Sequence, residues 1–175
     1  KATGVNPVLI IREGVKVTND ASFYRATQTR IPGFSLALTR DGLTDKVYYK
    51  IRKGATEELD DWDAVKLDND QFDISTVLPD RTSLAIRARD KLPCYSEVIQ
   101  IGIKDLTIGS YSLSLTTKLD FRNFHYTLVD HFLQRETLLS TESSVEIVVP
   151  EDPASAAFER FSLRLHEAIP ARGLQ

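Results

Sequence analysis

The segment 109–115, GSYSLSL, places an apolar side chain at every second position with serine between, and that period limits the fold more than any other feature of the chain. Successive side chains of a strand point to opposite faces. Tyr111, Leu113 and Leu115 are therefore expected inward, and Ser110, Ser112 and Ser114 toward solvent, in a half-buried antiparallel strand. Residues 158–166, FERFSLRLH, repeat the device, with Phe161, Leu163 and Leu165 on one face and Arg160, Ser162, Arg164 and His166 on the other. In 144–149, Val145, Ile147 and Val149 face inward and Glu146 outward. Residues 34–38, 45–52, 83–89 and 97–103 are further strands, rich in β-branched and aromatic residues.

Turn chemistry separates these strands at short intervals. Ile31-Pro32-Gly33, Arg40-Asp41-Gly42 and Leu78-Pro79-Asp80 combine the residues that fix or relax φ where a chain reverses. About ten to twelve strands at such spacing predict an all-β antiparallel sandwich, jelly-roll or Ig-like, and not βαβ units. Helix is confined to one or two short turns: one capped by Thr56, another opened by Pro153 and running to Ala157. Residues 1–175 read as a single sandwich module, and its halves 1–106 and 107–175 are candidates for two packed subdomains. The lack of any methionine predicts a mature or excised segment of a longer protein.

Composition excludes several function classes. A net charge of −3, with no basic stripe in the sequence, argues against a nucleic-acid partner. No apolar run approaches the roughly 20 residues that span a bilayer, so membrane insertion is not expected. One cysteine, Cys94, permits neither an intrachain disulfide nor a cysteine-rich zinc site. No G-x-S-x-G elbow and no phosphate-cradling glycine loop occurs, so no catalytic and no cofactor-binding residue is assigned, and the chain is not expected to be an enzyme.

The candidate for chemistry is residues 54–70, GATEELDDWDAVKLDND. Eight carboxylates lie between Glu57 and Asp73 against one base, Lys66. Closely spaced carboxylates are what a hard cation requires, so Asp60, Asp61 and Asp63 are the candidate ligands of a calcium ion. The glycine and glutamate that complete an EF-hand loop are missing in either register, and an acidic run is more often a solvated face. His125 and His131 flank the apolar run 126–129. On one strand they would stand about 20 Å apart, too far to share a metal. Phe23, Tyr24, Trp62 and Tyr95 lie near loops, where an aromatic either stacks on a ligand or closes the end of the core.

Two stretches carry a family resemblance. In residues 38–92 the matching positions are Asp45, Gly54-Ala55-Thr56, Asp60, Asp63-Ala64, Lys66-Leu67 and Leu84-Ala85-Ile86. In residues 109–166 they are Gly109, Tyr111, Leu113, Leu128, Asp130, Thr137, Leu139, Arg160, Phe161 and Leu163. The order and spacing resemble the C-terminal β-sandwich modules of Bacteroidetes cell-surface proteins exported by the type IX secretion system, among them adhesins and gliding-motility filament proteins. The chain departs where Val145-Glu146-Ile147 replaces the usual tyrosine-x-phenylalanine strand, and it ends without a recognisable sorting domain.

The resemblance implies a secreted, extracellular, non-catalytic module for attachment or filament architecture. Its implied partners are neighbouring modules of the same chain, the outer-membrane secretion or anchoring machinery, and extracellular polysaccharide. The alternative is a carbohydrate-binding module, calcium-dependent or not, of a polysaccharide-acting protein. Within the resemblance the acidic segment becomes a connector between strands, with Trp62 expected to anchor it to the core and Gly109 and Asp130 at turns.

Overall fold

Asp41 and Gly42 both adopt positive φ, 52° and 80°, the combination that a two-residue hairpin turn needs to match the twist of its strands. They join β1 (Gly33–Arg40) to β2 (Leu43–Ile51) in register from Arg40↔Leu43 to Gly33↔Lys50. The computed structural model describes residues 31–91 and 96–168; Phe23, Tyr24, Cys94 and Tyr95 lie outside the described residues. The remaining strands are β3 (Ala64–Val65), β4 (Asp73–Val77), β5 (Ser83–Arg89), β6 (Ser96–Lys104), β7 (Gly109–Lys118), β8 (Phe124–Asp130), β9 (Arg135–Leu139), β10 (Ser144–Val149) and β11 (Phe161–Glu167).

The strands are joined in the order β10-β7-β1-β2-β5-β4-β6-β11-β8-β9, with β3 paired to β5. Leu36, Leu113 and Ile147 from one end of that order share a single buried cluster with Ile101, Leu128 and Leu163 from the other. The sheet therefore folds back on itself into an all-β sandwich whose core lies between its two halves. Pairing is antiparallel except between β2 and β5, which run parallel. A parallel pair cannot be closed by a hairpin. Residues 52–82, the acidic segment included, form the crossover that the pair requires.

Alternation sorts the faces as expected in β7 and β10, where Tyr111, Leu113, Leu115, Ile147 and Val149 are buried. In β11 it sorts only part of them. Phe161, Leu163 and Leu165 are buried as expected, but Ser162 and the preceding Arg160 are buried too, at 3% and 2% exposure. Chain packs over the start of that face: the 3₁₀ turn Pro153–Ala156, capped by the Asp152 carboxylate, brings its Ser155 carbonyl onto the Arg160 guanidinium, and His131 Nε2 meets the Ser162 hydroxyl. The turn expected from Thr56 does not form. Instead the Thr56 hydroxyl donates to the Glu58 carbonyl and its N–H to the Asp60 carboxylate. The second short turn is Leu119–Asn123, which inserts Phe121, fully buried, among Phe34, Tyr49 and Phe124. Burial of such a ring contributes roughly 1.5–3 kcal/mol. The Tyr126 hydroxyl fixes the turn by donating to the Phe121 carbonyl at 2.7 Å.

Candidate functional site

The three candidate calcium ligands have different surroundings. Asp60 accepts from the N–H groups of Thr56 at 2.6 Å and Trp62 at 2.8 Å, while Asp63 accepts from Asp60 at 3.2 Å and from Ala88 on β5 at 2.8 Å. The Thr56 N–H first, then that of Trp62, holds the Asp60 carboxyl below its ordinary value. Asp61 is exposed. A cation bound by Asp60 and Asp63 would share its ligand oxygens with these N–H donors, and no group of three or more His, Cys, Asp or Glu among the described residues is arranged to hold a metal. Trp62 does not enter the core: it is 50% exposed, with the Arg52 guanidinium 5.7 Å from its ring centre. The connector is anchored through Asp63 to β5 and through buried Ala55, so the indole is left at the surface.

Several charged residues far apart in the sequence meet in space. The Lys66 ammonium lies between Asp45 at 2.5 Å and Asp73 at 3.5 Å, and Asp45 also accepts from the Ile74 N–H. Arg160 and Asp130, thirty positions apart, form a buried pair through Nε at 2.9 Å and Nη2 at 2.6 Å. The same guanidinium donates to the carbonyls of Val148 and Ser155, and Asp130 accepts from the N–H groups of Phe132 and Leu133. Asp130 is thus the last residue of β8, where its buried carboxylate closes the turn to β9. Arg40 donates to the Tyr111 hydroxyl and to the carbonyls of Thr107 and Ile108, bracing the entry to β7 at Gly109. In the first two groups opposite charges are paired, and in all three the polar contacts hold loops against strands.

A different arrangement occupies the outer face of β7, β1 and β2. Lys46, Tyr48 and Lys50 alternate with buried Val47 and Tyr49 along β2, so all three project away from the core. The residues facing them on β1 are Ala37, Ser35 and Gly33, and beyond these on β7 stand Ser114, Thr116 and Lys118. Small residues on the central strand make a floor beside the longer side chains of β2, with Lys118 on the far side. Gly33 is required there, because a Cβ would collide with the Tyr49 carbonyl oxygen. The turn after β7 adds Arg122, and the resulting cleft has a volume of about 660 Å³.

This trough is electrostatically open. None of its described lining side chains is a carboxylate. Lys46, Lys50, Lys118 and Arg122 form no ion pair among the described residues, in contrast to the paired charges above. Burial, then Arg52 and Lys118, push the Lys50 ammonium below its ordinary pKa. Its Nζ rests 5.3 Å from the centre of the Tyr48 ring, which is 38% exposed. The sequence signal is Lys46-x-Tyr48-x-Lys50, three outward positions on one strand. It escapes a search for basic runs because every second residue belongs to the core.

The histidines are also regrouped. The register sets His125 directly opposite His166, both exposed, while His131 Nε2 lies 3.0 Å from the Ser162 hydroxyl at the end of the sandwich. No protein family, no characterised protein and no solved structure matches the chain.

Proposed function

We propose that the chain is a non-catalytic attachment or filament module of a secreted bacterial cell-surface protein, of the type IX-exported kind it resembles. The observation that carries the reading is the mutual pairing of its resemblance residues. Asp45 with Lys66, and Asp130 with Arg160, are brought together from distant positions and used to fix loops to strands. Residues constrained in this way serve a sandwich that must hold its shape, which is the requirement on a structural module. Its partners are neighbouring modules, the outer-membrane anchoring machinery and extracellular polymer, and its location is extracellular. The test is a panel of glycans, esters and peptides offered to the purified chain. No turnover is expected. Turnover abolished by a single substitution in one pocket would overturn the reading.

A second reading, a carbohydrate-binding module, is favoured by one observation: the trough is a concave strand face bearing an exposed tyrosine among hydrogen-bonding side chains. The two readings are compatible, since an attachment module needs something to attach to.

A further inference from the structure

We infer that the trough over β7, β1 and β2 binds an acidic polysaccharide, its uronate carboxylates taken by Lys46, Lys50, Lys118 and Arg122. The choice of ligand class rests on the attachment reading; the preference for an anion rests on the trough alone.

Four cations converge on one cleft without a described carboxylate among them, on a chain whose net charge is −3. Elsewhere in the described structure the buried cations Lys66 and Arg160 have carboxylate partners. Burial first, then Arg52 and Lys118, depress the Lys50 pKa, and an anion across the cleft would offset the repulsion from the two neighbouring cations. Lys46 and Lys50 are four residues apart on a strand, about 13 Å along the trough. That separation suits charges repeated along an extended polymer, a few units apart, better than a single compact anion. Tyr48 stands between them, offering ring surface where a sugar presents its C–H face. Ser35 and Thr116 supply hydroxyls on the floor and far wall.

Other anionic partners fit less well. A duplex or single-stranded nucleic acid is held by a broad positive field, and here four cations sit on a molecule that is negative overall. A membrane surface is planar, whereas these cations line a concave cleft. The cleft volume, about 660 Å³, lies in the range of sites that enclose a small ligand and would take a few sugar units.

The full chain should be titrated calorimetrically with a hexameric polygalacturonate at 20 mM and 300 mM salt. Neutral cellohexaose, a single-stranded oligonucleotide and vesicles of phosphatidylcholine with phosphatidylserine are run in parallel. Binding is expected to the uronate oligomer only, and to weaken with salt. The Lys50→Gln/Lys118→Gln variant should bind at least tenfold more weakly, and Tyr48→Ala several-fold, each melting within about 2 °C of the parent. Absence of uronate binding at low salt, undiminished binding by the double variant, or equal binding of cellohexaose would overturn the inference. So would tighter binding of the oligonucleotide or the vesicles. A large fall in the melting temperature of the double variant would also overturn it, by showing that the cations serve an anion of the chain itself. None of these failures touches the attachment reading, which turnover alone tests.

Discussion

Removing the Arg160 guanidinium leaves Asp130 charged, buried and short of its two strongest donors. Arg160→Ala should therefore lower stability by about 3–5 kcal/mol, read from the midpoint of urea unfolding. The pH dependence has a definite sign. Burial raises the Asp130 carboxyl, and the hydrogen bonds and charge of Arg160, with the N–H groups of Leu133 and Phe132, outweigh it, so the net displacement is downward. A depressed carboxylate contributes stability above its unfolded value, near 4, and loses it as the pH falls through the lower folded value. Asp130→Asn should flatten that acid limb while lowering stability at pH 7. Gly102 makes a second prediction at this scale. A Cβ there would run into the Phe158 ring and Val77, so Gly102→Ala should cost about 1–3 kcal/mol. Adding Phe158→Ala should make the pair less destabilising than the sum of its members, as a double-mutant cycle would show.

The crossover between β2 and β5 behaves as a pinned connector whose acid mostly faces water. Asp63→Ala removes the acceptor of the Ala88 and Asp60 N–H groups and should cost roughly 1–3 kcal/mol. Trp62→Ala should change stability by less than about 0.5 kcal/mol, because half of the indole is already in water. Calcium should leave the melting temperature unchanged; a rise that grows with concentration would mean a site formed only in the folded state. At this scale the strands were legible and their partners were not. Period two found the inward faces of β7 and β10 because a half-buried strand writes its environment into alternate residues. It misplaced Arg160, whose surroundings depend on Asp130 thirty positions earlier and on a turn packed over the strand. Nor did it show β4, buried at all five positions, because a strand covered on both faces has no alternation to read. The trough was half visible, since Lys46, Tyr48 and Lys50 share one face of one strand. The small floor on β1 and the facing Lys118 emerge only with the register.

On the scale of the whole molecule, the described strands of the two halves of the chain are interleaved. β7 pairs with both β1 and β10, and β11 lies between β6 and β8, so each half completes the sheet of the other. Unfolding should be a single transition, with coincident circular-dichroism and fluorescence curves. Fragments 1–106 and 107–175, expressed apart, should each lack dispersed amide resonances. The same interleaving has a mechanical consequence. Of the described strands, the first and the last, β1 and β11, are both interior, while the ends of the strand order fall to β9 and β10 in the middle of the C-terminal half. Among the described strands, tension along the chain would meet β1 and β11 first, and neither can peel away until the ladders on both its sides give way. A module arranged like this is loaded at its best-clamped strands, and its weakest strands stay out of the line of force.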